Sequence, residues 1–547
     1  MRDSHGSDRR SARAAVWIVA LLAGLLRLWC SPPWADDLIG GDEGYYGLMA
    51  RNVLASPAQV LSPSLIPLGP PGDKPPLVPI LIAASVRAFG VTTAAVRIPS
   101  ILCGVVVPAL LGLFLLPVAG PAVALAATTL YATLPWFADA ARIAAAEPPL
   151  TVLGLLALLA LARFPKRRAG ALIAGALLGA AFLCKLWLVA PLALACVAFV
   201  AGLERSGHPA REAWGSIVIM TATAFAVGAL HLIAVAWLRP QDLEHWRYIY
   251  LGRALAERVS GEGYPSYFVR PGGAYWASAT RAFGLALPFV ALGVADAWRS
   301  RNEAFARALL VWAAGILLLS CFRVQSGGYA YVVLPAWAGL AALGADALRQ
   351  RRSRGGAMFM ALAVGALASS PLLAEWGGAG LPVTAWAAIW IGGAGLCGIM
   401  WLRPQRARVL VAAAFALVVA LGAARTVQRL RAPFHTPGYA AVAADLAPLL
   451  VGVPAQQPCV LAPEAPVFAY HLFRTAAYWA TPDDAWSPAL AARIQVDTTW
   501  RVFVVDTTRS FHGGWPDDAM LAWLEREMDE RPAVRPGGPL RVFVRRR

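Results

Sequence analysis

The sequence predicts an α-helical polytopic membrane protein that carries an α/β domain at its C-terminal end. Three observations lead there. The chain of 547 residues is 59% hydrophobic and only 14% charged. It contains many apolar runs of roughly 17 to 24 residues, the length that crosses a bilayer as a helix. After Arg431 it turns polar, punctuated by Pro433, Pro437, Pro454 and Pro458, with no further run of that kind. The formal charge is +17, from 48 Lys and Arg against 31 Asp and Glu, which in a soluble chain would raise the question of nucleic acid. Here the basic clusters at 163–168, 205–211, 299–307, 350–354 and 403–408 all fall between apolar runs, as cytoplasmic connections do, so nucleic acid is not an expected partner. The seven cysteines are too scattered for a disulfide framework, and Cys103, Cys184, Cys196 and Cys397 lie in or beside apolar runs as packing residues.

The elements follow in order. A basic start, 1–13, leads into apolar 14–28, and the Leu28-Trp29 context of Cys30 is wrong for a lipoprotein cysteine. The segment reads as a retained signal anchor with its N-terminus in the cytoplasm. The chain then crosses outward over 14–30, leaving 31–93 as the first external loop. The apolar stretch 76–89 is short for a span and carries Arg87, which suits a helix lying in the interface. Tyr45, Leu48, Met49 and Val53 recur at helical spacing beside Arg51 and Asn52, marking a second interfacial helix. Further spans are expected at 94–116, 119–137, 148–163, 169–184, 186–203, 214–238, 279–297, 305–321, 329–348, 356–373, 382–402 and 409–425, giving about thirteen in all. Alternation from an internal N-terminus puts every basic cluster inside, and 136–147, 240–278, 323–328 and 375–382 outside. The expected organisation is a membrane domain over 1–431 and an extracytoplasmic α/β domain over 432–547, in a plasma (inner) membrane protein. Strands are expected at 459–461, 501–506 and 540–545, with helices at 485–495 and 517–528. No internal repeat is visible, which weighs against an inverted-repeat transporter.

Charge is scarce, so its placement is informative. Gly41-Asp42-Glu43-Gly44-Tyr45-Tyr46 and Asp73-Lys74-Pro75-Pro76 bracket a polar loop after the first apolar run. Two acids, a lysine and an amphipathic stretch against a membrane fit a site for a charged, lipid-linked substrate at the bilayer surface. Pro75 and Pro76 hold the backbone extended and keep Lys74 at the interface, where a fixed cation suits a lipid phosphate. Snorkelling is the alternative for Lys74, and capping of the helix that starts near Gly44 is the alternative for Asp42 and Glu43. Glu147 precedes Pro148-Pro149, which is also a helix-start sequence. His231, an ionisable group well inside a span, reads as a hydrogen-bonded packing histidine. No His/Cys metal cluster, nucleophile elbow or Gly-rich phosphate loop is present, which argues against nucleotide-sugar or ATP use.

These motifs, with Met49-Ala50-Arg51-Asn52, Lys74-Pro75-Pro76-Leu77, Phe89-Gly90-Val91 and Ala95-Val96-Arg97-Ile98-Pro99-Ser100, resemble those of the GT-C superfamily of polyprenyl-phosphate-sugar glycosyltransferases, in the branch of aminoarabinose transferases and protein mannosyltransferases. The resemblance covers the first two hundred residues or so well and the rest mainly by topology. It implies an inverting glycosyltransferase whose partners are a polyprenyl-phosphate sugar donor, an envelope lipid (lipid A-like) or protein acceptor, and membrane lipids. Asp42 is its catalytic carboxylate, with Glu43 and Glu147 beside it, Glu147 standing where relatives show Asp. The implied cofactor is a divalent metal cation shared by Asp42 and Glu147, the other option being that the two divide base and acceptor-positioning roles. Lys74, Tyr46, Arg142, Lys185, Arg253, Arg258 and Arg323 are the implied substrate-binding residues, Lys185 otherwise marking a tight turn and the arginines anchoring an interfacial loop. A transporter or flippase for a lipid-linked glycan would use the same cations without chemistry.

Overall fold

The computed structural model describes residues 4–31, 38, 41–134, 141–164, 168–205, 209–260, 283, 286–300, 303–323, 327–350, 404–431, 438–457, 459–462, 465–477, 500–506, 518–531 and 540–546. The chain is an integral membrane protein built mainly of helices. Among the described residues, four stretches are long and apolar enough to cross a bilayer by length and composition: 10–30, 93–132, 168–203 and 210–238. They fall within α1 (Ser4–Cys30), α4 (Thr93–Ala132), α6 (Arg168–Lys185) with α7 (Ala190–Arg205), and α8 (Ala210–Leu238), while α2 (Gly41–Ala55) and α3 (Leu77–Phe89) lie between the first two. The other apolar helices are α5 (Glu147–Arg163), α10 (Leu287–Arg299), α11 (Ala304–Ser320), α12 (Leu334–Arg349) and α13 (Pro404–Arg431), with the short α9 (Leu243–Arg247) after α8. The expected spans at 356–373 and 382–402 lie outside the described residues.

Local sequence sets the boundaries. Thr92 caps α4, its hydroxyl accepting the Ala95 N–H at 3.1 Å. α4 is two helices that meet at a kink, in keeping with the two spans expected at 94–116 and 119–137; the kink is at Gly120, whose φ of 85° only a glycine takes without strain. The junction expected at Lys185 is equally sharp: α6 ends there, Leu186–Val189 make a single 3₁₀ turn, and α7 begins at Ala190. Leu186 sits at φ 47°, a left-handed conformation that a leucine adopts only when its surroundings impose it. Small residues let the helices close on one another. A Cβ on Gly293 of α10 would run into the Leu340 carbonyl of α12, and one on Gly344 into the Phe289 carbonyl, so these two backbones touch directly.

The polar C-terminal segment forms one five-stranded sheet from β1 (Val460–Leu461), β2 (Ala476–Ala477), β3 (Val502–Asp506), β4 (Met528–Arg531) and β5 (Leu540–Arg545), in the order β2-β1-β3-β5-β4. β1 pairs in parallel with β2 and β3, whereas β5 pairs antiparallel with β3 and β4. Alternation along β3 separates two faces. Val502 and Val504 belong to the large core shared with the membrane helices, while Phe503 and Val505 join Met520, Trp523 and Leu524 in a second, smaller core. Among the described residues, three helices accompany the sheet: α14 (Tyr439–Leu446), α15 (Ala465–Leu472) and α16 (Asp518–Glu527). The expected strands at 459–461, 501–506 and 540–545 and the expected helix at 517–528 coincide with β1, β3, β5 and α16. The helix expected at 485–495 lies outside the described residues.

Candidate active site

Neighbouring helix positions point about 100° apart, so Asp42 and Glu43 at the start of α2 face different surroundings. Glu43 turns inward. Its carboxylate accepts Arg97 Nε at 2.8 Å and Nη2 at 3.0 Å, both side chains only 2% exposed, and it also accepts the Ala144 N–H at 2.9 Å. Asp42 turns outward and is half exposed, with Lys74 Nζ 2.9 Å from Oδ1 and Lys185 Nζ 4.0 Å from Oδ2. Lys185 also reaches the buried Glu147 at 2.7 Å. Lys74, Asp42, Lys185 and Glu147 thus form one alternating chain of charge drawn from four separate elements. Tyr46, one turn along α2, is buried beside it, and burial raises its pKa. For Lys74, burial is the largest single influence and lowers the pKa, but Asp42, Asp73, Tyr46 and Tyr329 together outweigh it, so the group is held well above its ordinary value and stays cationic.

The loop that carries Lys74 is fixed by side chains further along α2. Asn52, fully buried, donates to the Ser64 and Ile66 carbonyls at 3.0 and 2.9 Å and accepts the Leu68 N–H at 2.8 Å. Gln59 accepts the Ser64 N–H at 2.9 Å and donates to the Gly69 carbonyl at 3.2 Å. The segment after α8 packs on the same loop. His245 bonds the Gly72 carbonyl at 2.9 Å, and Trp246 donates to Ser62 at 3.1 Å. His231 is satisfied on both ring nitrogens, by the Leu61 carbonyl at 2.7 Å and the Tyr250 hydroxyl at 2.7 Å. This docking places Arg253 with its Nε 3.6 Å from Asp73, whose other oxygen lies 4.0 Å from Lys74.

Beside the charge chain opens a cleft lined by Tyr46, Asp73, Lys74, Lys185, Trp187, Phe322 and Tyr329 together with Leu186, Leu188 and Leu319. Cations gather at one end and apolar and aromatic surface makes up the rest, a combination suited to an anionic headgroup on an apolar chain. The Tyr329 ring lies 4.7 Å from Lys185 Nζ, and Trp187 is oriented by its bond to the Tyr250 carbonyl at 3.0 Å. Asp42 and Glu147, the two carboxylates expected to share a cation, are linked by the Lys185 ammonium, 4.0 Å from one and 2.7 Å from the other, and no group of three His, Cys, Asp or Glu comes together among the described residues.

Of the residues singled out in the sequence, Asp42, Glu147, Lys74, Lys185 and Tyr46 come together here, and Arg253 approaches through Asp73. Glu43 does not face the cleft, because its oxygens are taken up by Arg97 and the Ala144 amide. Arg142 is buried elsewhere, 3.5 Å from Ser31 Oγ and 3.4 Å from the Leu430 carbonyl, where it pins the ends of α1 and α13. Arg323 donates to the Ser260 carbonyl at 3.1 Å at the end of α11. Arg258 follows Arg253 on the same segment, and its side chain lies outside what is described, as do Tyr264, Tyr267 and Arg270. Sequence reasoning missed Asp73, Arg97, Trp187, Phe322 and Tyr329. Asp73 and Arg97 stood inside quoted motifs and were the scarce charges left without a role, whereas the aromatics gave no signal in an apolar chain.

Comparison with known proteins now meets this geometry. Residues 73–237 match the family model for dolichyl-phosphate-mannose-protein mannosyltransferase. No curated protein matches the chain by sequence search. Among solved structures, the fold is similar to that of ArnT from Cupriavidus metallidurans bound to undecaprenyl phosphate, with 17% identity over 96% of this chain and 97% of that one and a TM-score of 0.63. It is also similar to the oligosaccharyltransferase AglB from Archaeoglobus fulgidus in complex with an inhibitory peptide and a dolichol-phosphate, with 14% identity over 89% of this chain and 69% of that one and a TM-score of 0.55. The family match is confined to residues 73–237, and the similarity to these solved structures shows a shared fold.

Proposed function

We propose that the protein is a membrane glycosyltransferase that moves a sugar from a polyprenyl-phosphate donor to an envelope lipid or protein acceptor on the extracytoplasmic face. The observation that carries this reading is the convergence of Asp42 and Glu147 on Lys74 and Lys185, the two lysines that line an apolar and aromatic cleft. The similar structures named above hold undecaprenyl phosphate and a dolichol-phosphate, which supports a donor of that chemistry. The transporter alternative gains no support from the comparisons.

In this reading the acceptor hydroxyl or amine loses its proton to Asp42, the half-exposed carboxylate, as it attacks the anomeric carbon from the face opposite the phosphate. The C1–O bond to the phosphate breaks, the electron pair leaves with the polyprenyl phosphate, and the configuration inverts. Lys74 and Lys185 stabilise the charge that grows on the departing phosphate, and Arg253 is drawn toward the same place by Asp73. Glu147 neutralises Lys185 from the buried side and fixes its direction. Because the donor brings its own membrane anchor, the Leu186, Leu188, Leu319 and Phe322 side of the cleft guides its chain and no cytosolic nucleotide need reach the site. The N-terminus is assigned to the cytoplasm and residues 432–547 to the outside, from the inside placement of the basic loops.

Mass spectrometry of envelope lipids and glycoproteins from cells with and without the protein tests this directly. A species heavier by one sugar that disappears with the gene is the expected result. An unchanged envelope, with a lipid-linked glycan accumulating on one leaflet, would favour transport.

A further inference from the structure

Asp42 sits at the first turn of α2, so whatever fixes α2 fixes the carboxylate. Two of its holds lie inside the membrane half: Glu43 on Arg97, and Asn52 on the 64–68 loop. The third comes from the C-terminal segment. Arg51 Nη1 donates to the Tyr470 and His471 carbonyls, the latter at 3.2 Å, at the exposed-carbonyl end of α15. A cation is favoured there because the last carbonyls of a helix have no partners within it. The same guanidinium lies 4.5 Å from the ring centre of Phe473, which terminates α15 at a φ of 49°. The face of α2 is cut to receive α15. A Cβ on Gly44 would stand 2.7 Å from the Pro466 backbone, and one on Gly47 would stand 2.8 Å from the Tyr470 ring. Tyr470 then donates to the Thr92 carbonyl at 3.2 Å, so α15 bridges α2 to the head of α4.

We propose that Arg51 is a positioning residue through which the C-terminal segment holds α2, and with it Asp42, in register with Lys74. The proposal rests on the reading of Asp42 as the base. It gives α15 a role in the transfer step itself: the sheet-bearing segment is mechanically part of the catalytic helix. Donor phosphate is held by Lys74 and Lys185, neither of which lies on α2, but Asn52 of α2 also fixes the loop that carries Lys74, so loosening α2 disturbs the proton acceptor most and donor binding less.

The test is steady-state transfer by the purified full-length protein, together with binding of polyprenyl phosphate, for wild type, Arg51→Ala, Arg51→Lys, Phe473→Leu and the double variant Arg51→Ala/Phe473→Leu. Arg51→Ala is expected to lower kcat by about ten- to a hundredfold, the loss that a misplacement of about an ångström brings, with polyprenyl phosphate affinity falling by clearly less. Arg51→Lys restores part of the loss, since it keeps a cation at the end of α15. The double variant loses no more than Arg51→Ala, because both side chains act on one contact. A well-folded Arg51→Ala with wild-type kcat, an equal loss in phosphate affinity, or independent losses in the double variant would overturn the proposal. Should wild type itself transfer nothing, the glycosyl-transfer reading fails, and the Arg51 clamp is judged by hydrogen exchange over 41–55. Faster exchange in Arg51→Ala supports the clamp, and unchanged exchange refutes it.

Discussion

Asp42 and Glu43 are adjacent, equally acidic and differently employed, and two measurements separate them. Glu43→Gln leaves the buried Arg97 without its counter-charge, and breaking such a pair costs about 3–5 kcal/mol. A marked fall in thermal midpoint in detergent is expected, with near-normal turnover per folded molecule; lost turnover at unchanged stability would return Glu43 to the chemistry. Lys74 gives a pH prediction. Its pKa is raised well above the usual lysine value by Asp42 and Asp73 despite burial, so its stabilising charge is fully present below that usual value and is lost only as pH rises through the raised one. Activity should therefore show no basic limb from Lys74 between neutral pH and about 10, and a limb in that interval that vanishes in Lys74→Arg would contradict the assignment. Sequence reading found the acids and lysines of the site because charge is rare in this chain and theirs was oddly placed. It could not tell which acid faced inward, since that depends on Arg97 of a distant helix, nor could it see that Tyr329 would turn toward Lys185.

At the scale of elements, apolar length and periodicity located α2, α3 and the strands β1, β3 and β5. The junction at Lys185 was legible too, because the charge sat between two apolar runs. What the sequence concealed were close approaches, which leave a glycine as their only trace among 49 glycines. Gly293 and Gly344 are such a pair, where the α10 and α12 backbones meet. Gly293→Leu must drive the two helices apart, so we expect a large loss of folded protein on detergent extraction, measured by size-exclusion chromatography. Gly215 has open space around its Cβ position, and Gly215→Leu should be tolerated. Equal yields for the two variants would refute direct backbone contact between α10 and α12. The 240–260 segment illustrates a different limit: its arginines and aromatics were visible, but their partners, Gly72, Ser62 and Asp73, belong to a loop nearly two hundred residues earlier.

Over the whole molecule, the distribution of basic residues fixes the expected orientation, and accessible cysteines check it. In a cysteine-free background, Ala58→Cys and Val451→Cys, both exposed, should react with an impermeant thiol reagent in intact cells, whereas the exposed Ala169→Cys should not. Labelling at Ala169 alone would invert the topology and move the site to the cytoplasm. The large core that joins the membrane helices to α14, α15 and β1 means that substitutions at the C-terminal end will be felt at α2. The central claim is that Asp42, held between two lysines, activates an acceptor against a lipid-linked sugar. The most direct measurement is release of free polyprenyl phosphate from a polyprenyl-phosphate sugar by purified protein in detergent, with and without acceptor, for wild type and Asp42→Asn. The variant keeps size and helix-capping ability but cannot take a proton. Wild type should release carrier in step with glycosylated acceptor while well-folded Asp42→Asn falls at least about a hundredfold; comparable release by the two proteins would contradict the account.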